Sequence, residues 1–275
     1  MAALASLAAS AASATTTTTR LSAPSPTLTL AAAAITAAAG ATTPRASAVA
    51  LYNYVRDTVA FGFTSRFDGA APEETLATGR GHCTPKGALL AGLLNTVEGV
   101  SARQRFVRLD GGVLRGVLGD DPAPVAHSYV EVTIADGGGE GTEEAPAGTC
   151  AAPDATTSPL PARPPPRPIR IDGYVVDAPL AAAAAARLAA ERRPAGYGIH
   201  TAGCSDWDGV SDCFIQMADE DTQVSRDWGA WDEPAAFLDG PNNPQRLPAL
   251  ARALFGIPAA LINRRIDALR NGGGG

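Results

Sequence analysis

A chain of 275 residues, 45% of them apolar and 18% charged, is long enough for one large domain or two small ones around a real core. Its formal net charge of -6 excludes the clustered Lys and Arg footprint of a nucleic-acid binder. No run of about 20 apolar residues is free of polar interruption, which excludes a membrane-spanning helix. Much of the apolar fraction is alanine. With only three Trp and seven Phe, the aromatic positions should mark where packing is dense.

Residues 1–23 are rich in Ala, Ser and Thr, with a run from Thr15 to Thr19, and no Asp or Glu precedes Asp57. That composition reads either as an organelle transit peptide, which would place the protein in a plastid or mitochondrion, or as a disordered start of a cytoplasmic protein. Order is expected from about residue 24, as one domain reaching residue 271. Leu28–Ala39 reads as a small helix. Thr43-Pro44 places a capping hydroxyl before a proline at the first helical position. Ala48, Leu51, Tyr52, Val55 and Val59 then form one buried stripe, and Gly62 ends the helix. Pro72–Thr78 is a short helix closed by Gly79. The segment Gly79-Arg80-Gly81-His82-Cys83-Thr84-Pro85-Lys86 follows, and Leu89, Leu90, Leu93, Leu94 and Val97 come after it at helical spacing.

Strands are expected at Arg103–Leu109, Ala126–Ile134 and Pro168–Val176. Between the last two, about residues 136–166 are rich in Gly, Glu, Ala and Pro without periodicity and read as a disordered insertion. Leu180–Arg193 is an alanine-rich helix. The region after it, with Trp207, Trp228 and Trp231, reads as loop-rich. A last helix runs from about Pro258 to Arg270, with Leu261, Ile262, Ile266 and Leu269 on one face.

The four cysteines are Cys83, Cys150, Cys204 and Cys213. Their spacing matches no paired CxxC zinc pattern, and they are too few for a disulfide framework in a chain of this length. Cys83 stands where a Gly-rich loop enters a buried helix. Unpaired N–H groups and partial positive charge at a helix N-terminus stabilise a thiolate, whose ordinary pKa is about 8.5. Pro85 suits the first turn, Lys86 adds positive charge, and Gly79 and Gly81 let backbone approach a substrate. By position alone Cys83 also reads as an ordinary buried thiol.

A thiolate nucleophile needs a base, and the chain offers only His82, His127 and His200. Strand alternation puts His127, Tyr129, Glu131 and Thr133 on one, more polar face and Val130, Val132 and Ile134 on the core face. His127, at the start of that strand, is placed to project toward a neighbouring helix terminus. His82, adjacent to Cys83, reads as a wall of the site rather than its base, together with Gly81 and Lys86. An acid that orients the imidazole is supplied by Asp172 or Asp177, both of which also read as ordinary turn residues.

Gly81-His82-Cys83, the helix Leu89–Leu94, the turn Gly99-Val100 and the strand start Ala102-Arg103 resemble the nucleophile motif of the transglutaminase-like, papain-related superfamily. Leu51–Asp57 resembles the helix before that motif in bacterial stand-alone members. His127–Val132 resembles the family's His-x-x-x-Glu-Val strand, and Pro168–Asp172 the strand ending in the family's Asp. Tyr197–His200 and Asn263–Ile266 resemble the C-terminal part of those bacterial members. The family's tryptophan-rich approach to the third strand is replaced here by Arg163–Pro168, which leaves Asp172 and Asp177 open as the acid.

The resemblance implies an α+β papain-like fold, with a helix bearing the nucleophile Cys83 packed on an antiparallel sheet that carries His127 and Asp172. It implies acyl transfer or hydrolysis on a peptide or protein amide, with no metal or organic cofactor and no nucleic-acid or membrane partner. Two rivals stand beside it: a non-catalytic protein- or peptide-binding module on the same fold, and a metal site built from Cys204, Cys213, His200 and His82, whose spacing is poor for zinc.

Overall fold

The computed structural model describes residues 25–135, 167–218, 224–241, 243 and 256–272. The low-complexity start at 1–23, the insertion at 136–166 and Cys150 lie outside the described residues. The chain opens with α1 (Pro26–Ala38) and α2 (Pro44–Thr58). Ser25 and Thr43 cap them, each side chain accepting a backbone N–H three residues on, ahead of a proline in the first turn. The stripe Ala48, Leu51, Tyr52 and Val55 is buried as the spacing requires. Helix α2 stops at Val59 rather than at Gly62, because Ala60–Phe61 (β1) turns into a parallel pair with Arg80–Gly81 (β2).

Helix α3 (Pro72–Thr78) ends at Gly79, whose φ of 61° is the left-handed conformation that closes a helix. The role expected of Gly79 at a substrate is therefore replaced by a capping one. Helix α4 (Cys83–Leu94) follows at once, and its buried residues surround it: Cys83, Thr84, Pro85, Lys86, Gly87, Leu89, Leu90, Ala91, Leu93 and Leu94. A helix covered on all sides is a core helix. It packs on α1, α2 and α3 and on the sheet strands β3 (Val100–Leu109) and β4 (Val125–Ile134). Gly87 permits this closeness, since a Cβ there would lie 2.6 Å from Gln104 Nε2 and 2.8 Å from the Tyr174 hydroxyl.

The main sheet is antiparallel, in the order β5, β4, β3, β8, where β5 is Ile169–Ile171 and β8 is Val224–Trp231. Helices on an antiparallel sheet make this an α+β fold, as expected. Val130, Val132 and Ile134 face the main core. The opposite face, expected to be polar, is covered too: Val107, Leu109, Tyr129 and Met217 form a second apolar cluster and Glu131 is buried beneath Arg103 and Arg105.

Two sequence expectations are corrected here. The third strand is only Ile169–Ile171, because the N–H groups of Asp172 and Gly173 both donate to Cys213 O, at 2.9 and 3.1 Å, and the chain turns out of the sheet. The C-terminal region is not simply loop: β8 pairs with β3 from Gln104↔Trp231 to Leu109↔Val224. Its sequence hid it because it is an edge strand with exposed Ser225, Arg226 and Asp227, held by pairing rather than by an apolar alternation of its own.

Helix α5 (Ala178–Glu191) is capped by the Asp177 side chain, which accepts from Leu180 N. The short hairpin β6 (Ala195–Gly196) and β7 (Ile199–His200) follows. Beyond β8 come α6 (Pro234–Leu238) and α7 (Gly256–Arg270). The core-facing stripe of α7 is Ala259 and Ile266, fully buried, with Ile262 and Leu269 partly buried beside them. Leu261, expected on that face, is 56% exposed. Helix α7 packs on α5 and ties back to the chain before α4. Asn263 Oδ1 accepts from Phe63 N at 2.8 Å while its Nδ2 donates to Phe63 O at 2.7 Å. Arg270 donates to Phe61 O and to Asp177 Oδ2, both at 2.8 Å.

Burial would raise the Asp177 carboxyl, but Arg270 and the Phe61 N–H overcome it and hold it below the ordinary carboxylate value. A carboxylate depressed in the folded state stabilises it fully above its unfolded pKa, about 3.9, and loses that contribution as pH falls through the folded value. We expect Asp177→Asn to lower stability by about 3 kcal/mol at neutral pH, as for a broken buried pair, and to make stability less pH-dependent below about pH 4. Urea denaturation at several pH values checks both; an unchanged acid slope refutes the assignment.

Candidate active site

The parallel pair β1–β2 delivers Cys83 to the first turn of α4. His82 precedes it in extended conformation (φ -100°, ψ -164°) and donates no side-chain cap. The Cys83 N–H stands among the helix-start donors that have no intrahelical acceptor. Pro85, within the first turn, forfeits no helical hydrogen bond there. On the sheet, the Thr84 carbonyl accepts from Gln104 Nε2 at 2.9 Å, and the same amide donates to Ser128 Oγ at 2.8 Å. That buried link locks α4 to β3 and β4 one residue from the thiol and one from His127.

His127, in register opposite Val107, is 2% exposed. Its Nε2 lies 3.1 Å from Asp172 Oδ2, and its ring and the Cys83 thiol line the same cavity, close enough to shift each other's titration. With Nε2 held by the carboxylate, Nδ1 is the nitrogen left for the sulfur. The turn that ends β5 places Asp172 here, fully buried, with its Oδ1 accepting from the backbone N–H groups of Ile215 and Gln216. Asp177, the open alternative from sequence, does not approach the imidazole; it caps α5 and pairs with Arg270.

Burial alone would push the Cys83 thiol up. The imidazole of His127, aided by His82, reverses this and holds it at about 7. Burial likewise opposes the imidazolium of His127, but Asp172 and Cys83 together raise it to about 9. Each member of the pair favours the ionised form of the other. Cys213 is the contrast: burial pushes it up to about 12, and it is hydrogen-bonded to Tyr52 and the Cys204 carbonyl.

The expected walls separate. His82 does line the site, its ring packed against both Phe63 and Phe67 at 4.9 Å from each and its Nε2 on Asp68 at 2.9 Å. Gly81 and Lys86 do not. Gly81 is turned toward Pro85, Thr75 and the Lys86 stem. Lys86 is fully buried and its Nζ donates to Val59 O at 2.6 Å, on the side of α4 toward Asp177 and Arg270; burial brings it down to about 7. The helix-dipole and His127 effects at Cys83 therefore do not depend on Lys86.

A cavity of about 170 Å³ opens beside Cys83 and His127. Sequence reasoning missed its main wall, Phe61, Phe63 and Phe67. A signal was present: three of the seven phenylalanines fall within seven residues, shortly before the nucleophile segment. It also missed the Asp68–His82 pair, the Gln104 link and the backbone of 215–216 behind Asp172, whose contacts span chain separations that no local pattern records. A larger cleft of about 520 Å³ lies along another side of α4, between α1, α3 and β8, and touches neither Cys83 nor His127. Size alone thus does not locate the chemistry.

Among the described residues no three His, Cys, Asp or Glu side chains form a group able to hold a metal ion, so the set Cys204, Cys213, His200 and His82 is not assembled. His82 is engaged by Asp68, and His200 Nδ1 accepts from Ala202 N. No helix among the described residues is long and apolar enough to cross a membrane.

Residues 31–139 match the family model of the transglutaminase-like superfamily, a span that includes Cys83 and His127 and stops short of Asp172. No curated protein and no solved structure matches the chain. The motif around Cys83, the α+β architecture and the matched segment agree: over residues 31–139 the chain matches a domain of the transglutaminase-like superfamily.

Proposed function

We propose that the protein is a thiol acyl-transfer enzyme acting on amide bonds of peptides or proteins, with Cys83 as nucleophile, His127 as general acid and base, and Asp172 as the residue that orients His127. The observation that carries this reading is the buried line of Cys83, His127 and Asp172 at the N-terminus of α4, in which the thiol is lowered to about 7 and the imidazole raised to about 9. Perturbed, mutually supporting titrations at a cavity wall are a mark of chemistry rather than of packing.

In this mechanism the Cys83 thiolate attacks the amide carbonyl carbon. The resulting oxyanion is held by the Cys83 N–H at the helix start. Both N–H groups of the Gln104 amide are already used, so that side chain supplies no second donor. His127 Nδ1–H protonates the leaving amine, the C–N bond breaks and a thioester remains. Water or a second amine then attacks the thioester, giving its proton to His127, and the thiolate leaves. Water makes the reaction hydrolysis; an amine makes it transfer. Asp172 keeps Nε2–H directed at itself and Nδ1 at the sulfur throughout.

Iodoacetamide should label buried Cys83 faster than exposed Cys204 and faster than Cys150 near pH 7.5, with a rate that climbs as pH passes about 7. His127→Ala removes the group that opposes burial, so the climb should move to a pH above the ordinary thiol value. Peptide mapping by mass spectrometry reads both. Equal labelling of the three thiols across pH 5 to 9 would favour a binding module on the same fold.

For turnover of a peptide amide, kcat/KM should rise as pH passes about 7 and fall as it passes about 9, since the base-competent and acid-competent forms coexist only between. Cys83→Ala should abolish turnover. Asp172→Asn should reduce kcat on the order of 10⁴-fold, as when an orienting carboxylate is replaced in a triad, while leaving the fold intact by circular dichroism. A loss of only a few-fold would remove Asp172 from the mechanism.

A further inference from the structure

The cavity beside Cys83 has a definite chemistry. It lies between the aromatic segment Phe61–Phe67, the 3₁₀ turn Gly111–Leu114 with Leu118 beyond it, the start of β4, and Ile262 of α7. Among the described residues no lysine, arginine, aspartate or glutamate lines it. Its polar lining groups are largely committed. His127 is bonded to Asp172, Gln216 Nε2 to Gly198 O at 2.9 Å, and His82 Nε2 to Asp68, so that His82 Nδ1 is the one atom of that ring without a partner. Leu118, 39% exposed, carries the apolar lining to the mouth.

The walls are held from behind. Asn263 pins both backbone groups of Phe63, and the Gly111–Leu114 turn is tied to the β6–β7 hairpin by Gly198 N donating to Val113 O at 2.8 Å and Tyr197 N to Arg115 O at 2.7 Å. The space is thus preformed. Its volume is close to the about 150 Å³ of an apolar cavity that stays dry and accepts benzene. A carboxamide entering it would surrender bonds to water from a carbonyl and an NH₂ group, and the walls could return few of them. A charged side chain would fare worse.

We propose that this cavity is the specificity pocket of the Cys83 site and takes one uncharged aliphatic or aromatic side chain of a peptide amide, in preference to a carboxamide or charged side chain. The proposal rests on Cys83 being the nucleophile for its role in turnover, but the binding preference is measurable without turnover.

The test measures binding of N-acetyl amides of leucine, phenylalanine, glutamine, glutamate and lysine to the full chain carrying Cys83→Ala, by ligand-observed NMR or calorimetry. The leucine and phenylalanine amides should bind at least tenfold more tightly than the other three. Val113→Phe, which fills the cavity, and Leu118→Glu, which charges its mouth without disturbing the core, should each reduce that binding tenfold or more. Equal or tighter binding of the glutamine or charged amides overturns the proposal, as does unchanged binding in Leu118→Glu. A parallel arm treats the unsubstituted protein with thioesters of the same series. Acylation of Cys83 without side-chain preference sinks the pocket and leaves the acyl-transfer reading standing. Preferential binding with no acylation of Cys83 by any thioester does the reverse, leaving an apolar-peptide pocket without the chemistry.

Discussion

The rest of the structure depends on helix α4 being buried on nearly every side, with only Ala88 and Gly92 partly exposed. Ten of its twelve residues are buried, so nearly every side of it must be covered by something else in the chain. Helices α1, α2 and α3 cover one side and the β3–β4 face covers another. Gly87 lets Gln104 and Tyr174 come within a Cβ's width of its backbone. The energetic reason is the leucine payload: each fully buried leucine contributes about 1.5–3 kcal/mol relative to exposure, and four of them fix the helix in place. Its N-terminus, the only end with spare donors, then falls at a junction where β1, β2 and β4 meet.

Burial at that junction sets the electrostatics. A thiolate, an imidazolium and a carboxylate are each unfavourable in a low-dielectric interior unless each answers the next. Asp172 is tethered by backbone N–H groups from residues 215–216 and His127 by Asp172, while the imidazole counters the burial of the Cys83 thiol. Lys86, equally buried on another side of the same helix, has no carboxylate of its own, only the Val59 carbonyl, and burial lowers it instead. The same physical environment thus accompanies a lowered thiol and a raised imidazole on one side of α4 and a weakened ammonium on the other.

The C-terminal helix α7 serves this site from a distance in sequence. Through Asn263 and Arg270 it holds the backbone of Phe63 and Phe61, and the aromatic rings then pack on His82 and form one wall of the cavity. An amide that satisfies both the N–H and the C=O of one residue acts as a strand partner would, which fixes a short segment that has no other ladder. The proposed substrate preference therefore depends on a contact between Phe63 and Asn263, 200 residues apart in the chain.

The sequence by itself determined the local pieces. Thr43-Pro44 and Pro72…Gly79 marked helix ends by capping chemistry. The leucine spacing after Cys83 marked a core helix, and the alternation through Val130, Val132 and Ile134 marked a core strand. Cys83 and His127 were legible because helix starts and strand starts have local signatures. Tertiary structure alone put Asp172 rather than Asp177 on His127, since the N–H groups of Asp172 and Gly173 donate to Cys213 O and turn the chain there, while Arg270 claims Asp177. It alone revealed β8, an edge strand stabilised by its partner, and buried the face of β4 that alternation had marked as polar. It alone also removed Gly81 and Lys86 from the site. Periodicity reports which residues share a face; what covers that face, and which charge meets which, depends on segments far apart in the chain, and only folding brings those together.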